Sequence, residues 1–142
     1  MSHYTHATVE AGMSFYQNFN GKGEIVMLNL LKYRSVANYA DFETLQPAKE
    51  ISGEDAYQLY LQHTIPLFEK AGSKILYYGK CKDFLIGPQT EQWDAMLLVK
   101  HHSVAKFIEF AQSKDYIKIE GHRTAALEDA RLLPSFETDI TP

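Results

Sequence analysis

Apolar residues along this chain switch between a helical and a strand period, and the switches set out its elements. From Thr8 to Phe19, Val9, Met13, Tyr16 and Phe19 recur at helical spacing until Asn20-Gly21-Lys22-Gly23 breaks the pattern, which predicts an N-terminal helix lying on the domain. Glu24 to Arg34 (EIVMLNLLKYR) is nearly continuously apolar, as a central strand covered on both faces would be. Ser35 to Ser52 is an excursion with one helical turn expected around Tyr39 to Leu45. From Glu54 to Ala71, Tyr57, Tyr60, Leu61, Thr64, Leu67, Phe68 and Ala71 share one helical stripe, Gly72 supplies a stop, and Pro66 is expected to bend the helix. Ser73 to Ile86 reads as a strand continuing past Gly79, Gly87-Pro88 as a turn, and Gln92 to Lys100 as the next strand of a hairpin. Ser103 is placed to cap a helix that buries Val104, Phe107, Ile108 and Ala111. Asp115 to Ala126 continues as a helical stretch, and Ala130 to Leu133 makes a last short strand.

The order β-α-β-β-α-β is the split βαβ arrangement called ferredoxin-like, of class α+β. It predicts one domain over residues 24–134, a helical extension over 1–23 and a polar tail over 135–142. Helices cover only one face of such a sheet. Both alternating sets of the first strand are apolar, Ile25, Met27, Leu31 and Tyr33 against Val26, Leu28 and Leu30, so the second face calls for a cover. A second copy stacked sheet to sheet would supply it, giving a homodimer in the form of a dimeric α/β barrel.

Composition narrows the partners. With 142 residues, 45% of them hydrophobic, the chain supports one core and is short for two domains. Its 14 basic and 18 acidic residues leave a net charge of −4 with no Lys/Arg block, so neither a nucleic-acid backbone nor an anionic membrane meets an electrostatic footprint. Cys81 is the single cysteine, which excludes an intramolecular disulfide and a cysteine zinc cluster. The start of the chain lacks the pattern of a secretory signal and no apolar run approaches the roughly 20 residues of a membrane span, so a cytoplasmic protein is expected.

Few residues offer chemistry. Asn29 interrupts an apolar strand; it either makes a structural hydrogen bond or touches a ligand in a cavity lined by Met27, Leu31 and Tyr33. Tyr57, Tyr60 and His63 on the long helix could complete that lining. Trp93-Asp94 is expected to open the third strand with its side chains on opposite faces, Trp93 as a core or rim aromatic or as a stacking platform. His122-Arg123 is the most capable dipeptide: Arg123 can clamp a carboxylate and His122 can move a proton near neutrality. The bland alternative is a surface helix end with Arg123 bridged to Glu128 or Asp129. His101-His102 has no companion ligands at metal spacing, so no metal is expected, and no cofactor motif stands in the chain.

Four stretches, "IVMLNLLKYR" with Asn29, "SGEDAYQLY" with Gly53 and Tyr57, "WDAMLLVK" with Trp93-Asp94 and "GHRTAALEDARLL" with His122-Arg123, resemble the domain of unknown function family 1330 of the dimeric α/β-barrel superfamily. The resemblance runs from about Glu24 to Leu133 and implies the ferredoxin-like subunit and the sheet-to-sheet dimer, with no established activity. Members tend to carry Tyr-Pro-Ser where this chain has His101-His102-Ser103. The wider superfamily includes quinone-forming monooxygenases and haem-degrading enzymes; Asn29 and Trp93 are similar to the latter, whose helical His has no clear match here. Three readings follow. One is a metal-free enzyme on an aromatic or carboxylated metabolite, with Asn29 orienting substrate, Arg123 holding an anionic group and His122 as acid or base. The others are a non-catalytic binding or assembly module and a haem-binding protein.

Overall fold

The computed structural model describes residues 3–141. In chain order the elements are α1 (Val9–Phe19), β1 (Ile25–Tyr33), a 3₁₀ turn (Glu43–Leu45), α2 (Gly53–Ala71), β2 (Lys74–Lys80), β3 (Ala95–His101), α3 (Val104–Ala111), α4 (Lys114–Ile119), α5 (Gly121–Ala126) and β4 (Leu127–Ser135). The strands form one antiparallel sheet in the order β2-β3-β1-β4, which is the ferredoxin-like topology preceded by a helix. Local chemistry sets the boundaries. Thr8, Ser52, Ser103 and Ser113 each cap a helix by accepting from a backbone N–H, and Gly72 ends α2 at φ 75°.

The β1 positions alternate as the pattern requires. Ile25, Met27, Asn29 and Leu31 are buried under the helices, while Val26, Leu28 and Leu30 are half-buried on the other face. Cross-strand register extends each set across the sheet. Tyr77, Leu98, Leu28 and Leu133 form one row on the open face, and Tyr78, Leu97, Asn29 and Leu132 form one on the helix face. The main core joins Leu31, Leu97, Val99 and Leu127 to Tyr57, Tyr60, Leu61, Phe68 and Phe110. A smaller one gathers Ile25, Met27 and Val104 with Phe15, Phe19 and Phe107.

Several expectations are corrected. α1 packs through Phe15 and Phe19, and Val9, Met13 and Tyr16 point outward at 77%, 59% and 48% exposure, because the edge-to-face contact of Phe15 with Phe107 sets the helix's rotation. β2 stops at Lys80 instead of running to Ile86. Lys80 pairs with Ala95, the first residue of β3, so the chain beyond it has no ladder to join, and Leu85 and Ile86 stand in solvent. Trp93 and Asp94 precede β3 and do not open it. In α3 the fully buried aromatic is Phe110, with Phe107 and Ile108 half-buried. The expected helix from Asp115 to Ala126 is two short helices meeting at Glu120-Gly121, where a Cβ on Gly121 would lie 2.6 Å from Phe42 and 2.7 Å from Leu45. β4 is nine residues long, from Leu127, because pairing with β1 overrides the mixed polar pattern of Glu128, Asp129 and Arg131. Pro134 fits in it on the sheet edge, where no ladder donor is needed.

Candidate functional site

The helix face of the sheet carries a cluster of phenols where β1 and β2 meet α2 and α4. Tyr57 is its centre, with ring centroids 5.7 Å from Tyr33, 5.2 Å from Tyr60 and 6.4 Å from Tyr78. The hydroxyls of Tyr33 and Tyr78 lie 2.6 Å apart, and those of Tyr60 and Tyr116 lie 2.8 Å apart. Helical spacing puts Tyr57 and Tyr60 on one face of α2, Tyr33 comes up from β1, and the register shift between Ile75 and Tyr77 turns Tyr78 to the helix face of β2. Burial pushes the phenols of Tyr33, Tyr57, Tyr60 and Tyr116 above the ordinary tyrosine range, so all four are neutral at physiological pH.

Arg123 is the cation in this cluster, and the Glu120 carboxylate lies near enough to raise Tyr60 and Tyr116 as well. Its guanidinium opposes the upward shift of Tyr57, Tyr60 and Tyr116, which it faces. Nη1 donates to the carbonyl of Thr5 at 2.8 Å. Among the described residues it bridges no carboxylate: Glu128 pairs with Lys32 and Asp129 with Arg131.

His122, about 100° round α5 from Arg123, turns toward Tyr39 and His63. It is 5% exposed, its Nδ1 lies 2.7 Å from the Tyr39 hydroxyl, and the exposed His63 ring stacks parallel to it at 5.4 Å. Burial, aided by His63, holds His122 below the ordinary histidine range. Asn29 is buried, and its Nδ2 donates to the carbonyl of Leu97 at 3.2 Å.

Of the residues singled out in the sequence, Tyr33, Tyr57, Tyr60 and Arg123 come together, and His63 meets His122 one helical turn further along α2. Asn29 lies on the same sheet face as Tyr78, with β3 between them. Trp93 does not join the cluster. It is 5% exposed, donates Nε1 to Glu91 at 2.9 Å and stacks on the Arg131 guanidinium at 4.9 Å, with Tyr4 on the same cation at 4.9 Å. Tyr39, Tyr78 and Tyr116 escaped sequence reading. Tyr39 sits in an irregular excursion and Tyr116 lies within a six-residue helix, so neither is on a periodic stripe long enough to reveal its direction.

Two surface depressions stand elsewhere. One, of about 530 Å³, lies between the 3₁₀ excursion and α4 and is lined by Phe42, Leu45, Ile117 and Lys118 among others. The second, of about 360 Å³, runs along the outward face of α1 at Val9, Gly12, Met13 and Tyr16. Among the described residues no group of three or more His, Cys, Asp or Glu is placed to hold a metal ion, and no helix is long and apolar enough to cross a membrane.

Residues 47–134 match the domain of unknown function family DUF1330. The chain belongs to this family. The match begins in the excursion after β1, later than Glu24, and takes in the phenol cluster except Tyr33, together with His122 and Arg123. Similar in fold and sequence is a protein of unknown function from Rhodopseudomonas palustris, 34% identical, with a TM-score of 0.85 over 98% of this chain and 100% of that one. Its methylated form gives the same identity and TM-score over 98% of each chain. A hydroxynitrile lyase from Passiflora edulis is similar in fold alone, at 14% identity and a TM-score of 0.53 over 84% of this chain and 97% of that one. No curated protein matches the DUF1330 chain.

Proposed function

We propose that this DUF1330 protein is a homodimer that binds a small aromatic or carboxylated metabolite beside α5, and that it acts on that metabolite without a metal. The observation that carries the reading is Arg123: a half-buried guanidinium that forms no salt bridge among the described residues, set against three neutral phenols. A cation in such surroundings is ready for an anionic ligand, and the flat phenol rings favour an aromatic one. The buried His122 is the next residue along α5, with Tyr39 and His63 as its neighbours. The dimer rests on the open sheet face. Tyr77, Leu98, Leu28 and Leu133 present a continuous apolar row there, of the kind that sheet-to-sheet stacking buries.

Benzoate is a suitable probe. Titration should show saturable binding, and Arg123→Ala should weaken it by about tenfold to a hundredfold, the worth of one charge-assisted bond, with the thermal midpoint nearly unchanged. Loss of fold with no change in affinity would remove Arg123 from the site. A second reading, an assembly module whose polar residues are structural, has its own support: Asn29, His122 and Arg123 each hold an internal partner, and neither surface depression is lined by them. Absence of binding by any aromatic carboxylate would favour it.

A further inference from the structure

The contact between Tyr39 and His122 fixes more than an orientation. Both residues are 5% exposed, and Tyr39 Oη lies 2.7 Å from His122 Nδ1. Either the phenol donates to a bare Nδ1, or it accepts from an Nδ1–H. The second arrangement would leave the phenolic hydrogen to find another acceptor, and among the described residues Tyr39 Oη has no other hydrogen bond. A buried hydroxyl hydrogen without an acceptor is strongly unfavourable. Tyr39 therefore donates, and a neutral imidazole whose Nδ1 is bare carries its own hydrogen on Nε2.

Nε2 has no hydrogen-bond partner among the described residues. It is not sealed away either, since among the described residues the side-chain atoms that are both buried and unpartnered are Arg34 Nε and Thr64 Oγ1. His63, stacked at an interplanar angle of 5°, lies against one face of the ring. We infer that His122 presents a fixed Nε2–H donor, with Tyr39 as its positioning residue, and that the ligand places a carbonyl or carboxylate oxygen there. This rests on the small-molecule reading above and sharpens it. The only bare nitrogen of His122 is occupied by Tyr39, so the residue donates to and polarises an oxygen instead of abstracting a proton.

Long-range ¹H–¹⁵N spectra of the labelled protein near neutral pH read the tautomer directly. The expected pattern is a protonated Nε2 and a bare Nδ1, with Tyr39→Phe releasing the ring to a mixture of both tautomers. A protonated Nδ1 in the wild type would overturn the assignment, and that result stands even where the Phe variant unfolds. With benzoate as probe, the Nε2 resonance should move on binding. His122→Gln, which keeps a side-chain N–H, should hold its affinity within about threefold, whereas His122→Ala loses about tenfold. Equal loss in both variants would also overturn the donor role. Failure of benzoate and other aromatic carboxylates to bind at all would sink the small-molecule reading while leaving the tautomer result to be judged separately.

Discussion

Ser73 Oγ lies 2.7 Å from Nδ1 of His101, and the pair sits buried against the rings of Phe68, Phe107 and Phe110. Burial takes the His101 pKa from 6.5 down to about 4. The unfolded chain therefore binds a proton that the folded one refuses as pH falls. The stability is fully present above 6.5 and is lost between 6.5 and about 4, amounting to about 3 kcal/mol. Urea unfolding across that window should show the loss, and His101→Gln should flatten it. A wild-type curve with no slope there would contradict the buried neutral assignment.

Two glycines separate soft from hard packing. A Cβ on Gly53 would collide with the backbone carbonyls of Ala126, which accepts from the Arg34 N–H, and of Arg34, which accepts from the Gly53 N–H, so Gly53→Ala should cost about 3 kcal/mol. On Gly121 the collision is with the side chains of Phe42 and Leu45, which can rotate, and Gly121→Ala should cost about 1 kcal/mol. Denaturant midpoints of the two variants check the order, and equal costs would show that the Arg34 region yields.

The N-terminal segment is tied to β4 through Asp129, whose Oδ1 accepts from the Tyr4 N–H at 2.8 Å and from Arg131 Nη1 at 2.6 Å. Although burial raises its pKa, these donors and the Ala130 N–H more than offset that and hold the carboxyl below its usual range. Asp129→Ala should destabilise the fold by about 2 kcal/mol, since it leaves several donors unpaired at once. Amide exchange at Ala130, which donates to the Tyr4 carbonyl, should accelerate in the variant. Unaltered exchange would mean that the segment holds without Asp129.

If the open face is a dimer interface, a charge in its central row should disrupt assembly and spare the subunit. Leu98→Lys, placed between Leu28 and Tyr77, should turn a dimer into a folded monomer by light scattering. A monomeric wild type would dispose of the interface.

The topology was legible because β1 and α2 are long and strongly patterned, and the serine and glycine signals at Ser103 and Gly72 have a local cause. What escaped was set by contacts distant in sequence. The sequence pattern marks only four residues of β4, because Glu128, Asp129 and Arg131 look like a loop until Lys32 pairs Glu128 and the Tyr4 N–H and Arg131 meet Asp129. The face of α1 is not legible in the sequence because Val9, Met13 and Tyr16 are apolar yet uncovered in the subunit, and only the contact with Phe107 shows that Phe15 turns inward. In the candidate site, the meeting of Tyr57, Tyr60 and Arg123 had sequence signals. The partner of His122 had none, because Tyr39 lies 83 residues away.

The central claim, a ligand site built on Arg123 and His122, is tested most directly by a crystal structure of the protein grown with benzoate. The account predicts a carboxylate within hydrogen-bond reach of the Arg123 guanidinium or His122 Nε2, with the phenol rings against the aromatic ring. A structure in which Arg123 still donates to Thr5, His122 meets only Tyr39 and no ligand lies between them would contradict it.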